Sequence, residues 1–350
     1  MLKHLVVLLV FSLTLISCGE KKNEPENKIS DKEKYAFDST DLKTDGVDNT
    51  GKPFLLEYKF KKGDKVVYRL TTISNNNQTI IMDTTLSSAM NQKIIYLLDL
   101  VVKEVEEDGS TEVEIKINSL KLEASANGQT FNFEAGKDVD SAKTQQFAEF
   151  QALYNNPFSV RFNKKGDILE VFKADKISNK FLELKGAADT ISVNDRNLIR
   201  QDLINGVLTP LITQVIRKVS NKEVSTDSTW QIQQAPIPLM VYQINYTNTY
   251  KVESVQKLDA SRIAVIDAGI DFKYSGEPKV NQGNVSYSFQ KPISTAEGKL
   301  YFDIDKGIQI KSRTKTRLEI SYTMEANTPQ GKQKGSRRDI ITNTNILELL

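Results

Sequence analysis

Histidine and cysteine each occur once, as His4 and Cys18, and both fall in the first eighteen residues. If that leading stretch is cut before Cys18, the remaining chain has no imidazole and its only sulfhydryl is the terminal one. Disulfides, His- or Cys-ligated metal sites and every Ser-His or Cys-His nucleophile arrangement are then excluded, leaving carboxylates, Lys, Tyr and Ser as the working groups of any enzyme. The carboxylates Asp303 and Asp305 share one strand face and could pair or hold a hard cation, but they flank a Lys306-Gly307 turn, where Asp is a turn former. Ser254–Lys257 and Ser312–Lys315 have the Ser-x-x-Lys spacing of acyl-transfer enzymes. Both pairs lie in strand patterns without a helix start. Glu106, Glu107, Asp108, Glu112 and Glu114 crowd one hairpin and read as an exposed tip.

The spacing around Cys18 carries a different chemistry. Lys3 precedes an apolar run, Leu5 to Ile16, that is too short to span a bilayer, and Leu15-Ile16-Ser17-Cys18 closes it. This resembles a bacterial lipobox, in which the signal is removed before the cysteine and the sulfur takes a diacylglycerol thioether. Cys18 is therefore the expected lipidation site, and two or more acyl chains there imply a stable membrane anchor. Gly19 in place of Asp favours the outer membrane over inner-membrane retention.

Lys and Arg number 47 against 45 Asp and Glu in 350 residues, a net charge of +2. The balance carries no nucleic-acid footprint. The basic cluster Lys332 to Arg338 reads as a solvated loop before the last strand. The expected organisation is a removed signal (1–17), a lipidated cysteine with a flexible polar tether (18–52), a β-rich half (53–172), a helical segment (173–222) and a second β-rich half (223–350).

Alternation places strands at Phe54 to Phe60, Val66 to Leu70, Lys93 to Glu106 and Glu112 to Leu122. Seven more follow Trp230, among them Met240 to Val255, Arg262 to Tyr274, Gly307 to Arg313, Arg317 to Met324 and Asp339 to Leu347. Helical spacing predicts helices over Ser141 to Tyr154, around Ile177 to Leu184, and from Asp195 to about Ser220. The last has a wide apolar face, either core packing or a ligand wall, and Pro210 predicts a kink or break at Thr209. Phe162-Asn163-Lys164-Lys165-Gly166 and Phe302-Asp303-Ile304-Asp305-Lys306-Gly307 are similar strand-turn units. The expected fold class is α+β: mainly antiparallel, strongly curved β-sheets with a central helical segment against their concave side.

The Lys-Gly-Asp turn and aromatic strand of Phe60 to Tyr68, the unit from Pro157 to Leu169 and the element Thr226-Asp227-Ser228-Thr229-Trp230 resemble an uncharacterised lipoprotein family found mainly in Bacteroidota. The resemblance covers roughly residues 54 to 275 and implies no activity. Five Asp-(Ser/Thr) tripeptides are similar to the O-glycosylation acceptors of Bacteroidota secreted proteins, with Ser39, Thr84, Ser141, Thr190 and Ser228 as candidate carriers. Ordinary Asp caps and turns account for the same pattern.

Together these features predict a non-enzymatic, membrane-anchored lipoprotein of the bacterial cell envelope, a binding or carrier module for an apolar ligand or an envelope protein, with no cofactor, no metal and no nucleic-acid partner. The alternatives are an envelope structural or assembly subunit and, further off, a carboxylate-based hydrolase. A large apolar cavity, a filled core with an apolar patch, or a polar cleft with converging carboxylates would tell these apart.

Overall fold

The computed structural model describes residues 34–47, 51–137, 140–328 and 331–350. Cys18 and the apolar leader lie outside the described residues. Residues 37–350 form one unit, separate from residues 1–36.

The strands are far longer than their alternation suggested. A two-residue strand β1 (Gly46–Val47) precedes β2 (Lys65–Ile81), β3 (Thr85–Val105), β4 (Thr111–Ala126) and β5 (Gln129–Glu134), a meander of hairpins. Two short helices, α1 (Ser141–Gln146) and α2 (Ala148–Leu153), lead to the hairpin β6 (Phe158–Phe162) and β7 (Ile168–Phe172). The helical middle is α3 (Asp175–Leu184), α4 (Val193–Leu203), a π-helical turn at Ile204–Leu208 and α5 (Thr209–Val215). Then come β8 (Thr229–Gln233), β9 (Ile237–Leu239), β10 (Tyr242–Leu258), β11 (Ser261–Gly276), β12 (Lys279–Gln282), β13 (Val285–Phe289), β14 (Ile293–Asp303), β15 (Ile308–Thr328) and β16 (Gly331–Leu349).

The expected α+β class is overturned: the chain is mostly β, 57% strand against 15% helix, in one antiparallel sheet. Its order is β1-β10-β11-β14-β15-β16-β2-β3-β4-β6-β7. The two β-rich halves expected at 53–172 and 223–350 are joined where β16 pairs with β2, from Ser336↔Ile81 to Leu349↔Tyr68. The predicted strands 307–313 and 317–324 are one strand, β15, and the basic cluster at 332–338 is the exposed first half of β16. The helical signal shrinks for a local reason. Pro210 has no N–H and its ring crowds the preceding turn, so the helix widens into a π turn before it, and α4 buries no residue.

The sheet curls. β6 and β14 are six strands apart, about 29 Å in a flat sheet. Yet Phe162 of β6 and Phe302 of β14 both meet the ring of Tyr58 edge-on, at 5.6 and 5.4 Å. Phe54 to Phe60, predicted as a strand, is instead an extended strap through this closed end. It bridges Phe54 to Val224, Tyr58 N–H to the Lys164 carbonyl (2.8 Å) and Lys59 N–H to the Gly307 carbonyl (3.1 Å). The two similar strand-turn units thus converge on one tyrosine. Their glycines, Gly166 (φ +79) and Gly307 (φ +66), are left-handed, and a Cβ would strike the Arg217 and Glu57 carbonyls respectively.

Within the stretch read as tether, residues 37–47 lie against the outer face of the sheet. Leu42 packs on Ile263, Val265 and Tyr301, and β1 pairs with β10 at Lys257 and Gln256.

Candidate functional site

Residues paired across neighbouring strands share a face, so one row can be read across the sheet. It runs Trp230, Tyr250, Ala268, Gly298, Thr314, Asn345, Thr72, Ile94, Leu122, Phe133. Large rings stand at both ends and small or short side chains in the middle. The last helix of the helical segment packs on β2 and β16, with Leu208, Ile212 and Val215 buried, and the small side chains beside it are left uncovered.

A cavity of about 500 Å³ occupies that gap. Its floor includes Tyr246, Asn248, Tyr250, Ala268, Ile270, Ala296, Thr314, Thr316 and Asn345, and its wall is Thr213 to Lys218 at the end of α5. The wide apolar stripe of the helical segment is therefore divided. Leu211, Ile212 and Val215 are core, Ile216 is both core and cavity wall, and Leu198 and Val193 of α4 are exposed.

Arg217 is the charged group on the wall, and it is held rigidly. Its backbone N–H donates to the Tyr58 hydroxyl (2.8 Å), which in turn donates to the Arg217 carbonyl (3.1 Å). One guanidinium nitrogen donates to Gln214 Oε1 at 2.6 Å. Its Nε is buried and has no hydrogen-bond partner. Burial lowers the Arg217 pKa and raises that of Tyr58, since each charged form loses water there. The next residue, Lys218, is neutralised by Asp167 at 2.5 Å. Burial alone would raise Asp167, but Lys218 and Asn163 outweigh it and lower its pKa.

Trp230 stacks on Tyr250 with centroids 5.1 Å apart, beside the cavity, and its indole N–H is buried without an acceptor. The aromatic face continues beyond the cavity through Tyr246, Phe272, Tyr274, Phe289 and Tyr322, all half-buried. None of the sequence motifs pointed to Arg217 or Tyr250. The available signal was the alternation of Tyr242, Ile244, Tyr246, Asn248 and Tyr250 along β10, which marks a single apolar-leaning face.

The sequence candidates lie elsewhere. Asp303 caps its own turn, accepting from the Asp305 and Lys306 N–H groups at 3.1 and 2.8 Å, and Asp305 is held by Arg262 at 2.7 Å, which lowers its pKa. Ser254, Lys257, Ser312 and Lys315 sit within strands, Ser312 buried, whereas Lys315 is exposed and reaches the cavity lining. The hairpin acids are tied up in pairs such as Glu112 with Lys173 (2.9 Å) and Glu114 with Lys103 (2.8 Å). Among the described residues no group of three or more His, Cys, Asp or Glu side chains could hold a metal, and no helix is long and apolar enough to cross a membrane. Ser39, Thr84, Ser141 and Thr190 are exposed, whereas Ser228 is half-buried and its Oγ accepts from Ser225 N–H at 2.9 Å. Asp140 beside Ser141 is a helix cap, accepting from Ala142 and Lys143.

A family model matches residues 108–309, more than half of the chain. The chain belongs to a family of unknown function, DUF6263. The matched span holds Arg217, Trp230, Tyr250 and the β10, β11 and β14 floor, and omits the β2 and β16 strands that join the two halves. No curated protein matches the chain. Solved structures with some likeness include lipovitellin (TM-score 0.42, 10% identity, 83% of this chain) and an outer membrane channel from Pseudomonas putida F1 (TM-score 0.22, 9% identity, 84% of this chain and 97% of that one). A third is OccK2 (OpdF) of Pseudomonas aeruginosa, solved with glucuronate (TM-score 0.19, 6% identity, 80% of this chain and 96% of that one). This chain spans 25% of the lipovitellin chain's length. All three scores lie below the value at which two chains share a fold.

Proposed function

We propose that this protein is a non-enzymatic binding or carrier module of the bacterial cell envelope, anchored through lipid on Cys18, and that its cavity takes an apolar or amphipathic ligand. The observation that carries this reading is the unfilled middle of the inner sheet face. Small side chains at Ala268, Gly298 and Thr314 leave about 500 Å³ beside an aromatic surface that stays half-open to solvent. That volume lies within the range of small-molecule sites, and a lining that mixes Ile, Tyr and Ala with Thr, Asn, Gln and charged side chains suits a ligand with one apolar and one polar part. Of the two acids in the lining, Asp167 and Glu297, the first is tied to Lys218, which weighs against a glycan hydrolase working through two free carboxylates.

A protein partner is a second reading, favoured by one place. Ile81, Met82, Leu86 and Met90 are each exposed along the β2–β3 hairpin. The two readings separate in one experiment: protein purified from its native envelope is extracted with organic solvent and the extract analysed by mass spectrometry. A molecule retained at near one per chain, and missing from a control lipoprotein, is expected. An empty extract would sink the carrier reading in favour of the partner. Intact mass of the same sample is expected to show diacylglycerol at Cys18, and any excess in sugar units would fall to Ser39, Thr84, Ser141, Thr190 or Ser228.

A further inference from the structure

Arg217 places a positive charge on the cavity wall. Among the described residues no carboxylate forms an ion pair with Arg217. The acids nearest in the sequence of the wall and the strap are already paired, Asp167 with Lys218 and Glu57 with Lys165 at 3.1 Å. Glu297 also lines the cavity, but it is exposed and forms no ion pair with Arg217. A guanidinium partly removed from water without a counter-charge carries a desolvation cost that an arriving anion would offset.

The arginine is also preorganised for that role. Tyr58 fixes its backbone on both sides, Gln214 holds one of its nitrogens, and Tyr250 lies against it. With Nε buried and one terminal nitrogen on Gln214, the remaining guanidinium donors of this lining residue are the groups that a carboxylate or phosphate would meet. The floor also carries Ala268, Ala296, Ile270 and Tyr246, the last paired with Phe272 on the next strand, an apolar strip among the polar lining residues.

Building on the cavity-binding reading above, we infer that the ligand is an acidic single-chain amphiphile, its carboxylate or phosphate head on Arg217 and its tail along the inner aromatic face. The full-length chain is titrated with dodecanoate, dodecyl phosphate and neutral dodecanol below their aggregation limits. Trp230, the one tryptophan of the chain, stacks on Tyr250 and reports binding by fluorescence.

At least one of the two anions is expected to bind ten-fold or more tightly than dodecanol, and the tighter of them identifies the head as carboxylate or phosphate. Arg217→Gln should remove that preference while leaving dodecanol affinity within about two-fold. Ala296→Leu, which fills the floor, should abolish binding of all three. Equal affinities in the unmodified protein, or a preference that survives Arg217→Gln, overturn the headgroup assignment and leave the cavity reading standing. Binding that survives Ala296→Leu overturns the placement. No binding by any probe overturns the cavity reading itself. The ranking of probes on the unmodified chain needs no variant, so the test holds even if Arg217→Gln does not fold.

Discussion

Tyr58 is the residue on which the most distant parts of the chain depend. Its ring is clasped by Phe162, Phe302 and Phe60, the last stacked at 6.1 Å, and its hydroxyl serves both backbone groups of Arg217. The sequence displayed this tyrosine only as one member of an alternating run, because its partners other than Phe60 lie more than a hundred residues away and leave no local pattern. Tyr58→Phe keeps the ring contacts and leaves a buried backbone N–H without its acceptor, a loss of about 1–3 kcal/mol. Urea unfolding of the variant is expected to show that loss with an unchanged slope, and wild-type stability would show that the hydroxyl is dispensable.

At the scale of elements, the segment 37–47 is held by a charge ladder on the outer face. Arg69 Nε donates to Glu348 (2.9 Å), the Asp38 N–H donates to the other Glu348 oxygen (3.1 Å), and the Lys311 ammonium donates to Asp38 (2.8 Å). Lys311 is nearly buried and Asp38 half-exposed. The Lys311 hydrogen bond, with those from Thr40, holds Asp38 below the ordinary carboxylate range. A carboxylate whose pKa is depressed in the docked state stabilises docking above its free pKa, near 4, and loses that contribution as pH falls below it. Hydrogen exchange of residues 37–47, corrected for intrinsic rate, should be slow at pH 7 and accelerate selectively below about pH 4. Equal protection at both pH values would refute a role for Asp38. Composition marked this stretch as unable to fold alone, which is true of it in isolation; Phe37, Leu42 and Asp38 are ordered only because Tyr301, Lys311 and Glu348 wait on a sheet formed elsewhere.

For the whole molecule the decisive contact is the pairing of β16 with β2, which joins the last strand of the chain to one of the first. A sheet continuous through that seam unfolds as one body, so calorimetry of the chain should give a single transition for residues 37–350. Thr342 pairs with Arg317 on one side and Asn75 on the other, in the middle of the sheet. Thr342→Pro removes a ladder donor there and is expected to cost about 2 kcal/mol or more. That transition should stay single and move down in temperature. Two separate transitions would mean that the β halves are independent.

What the sequence determined by itself was local. Period-two alternation located most strands, helical spacing located α3 and the α4–α5 run, and Pro210 marked where that run is disturbed, because each of these depends on neighbours within a few residues. The single Cys and His limited the chemistry before any coordinates were needed. The tertiary structure alone decided that two β halves are one curled sheet, since strand pairing across 250 residues leaves no mark on either strand. It also decided that Ala268, Gly298 and Thr314, unremarkable in three different strands, stand side by side and open a cavity under Arg217. Cavities arise from which residues become neighbours in register, and register between distant strands is a property of the folded sheet.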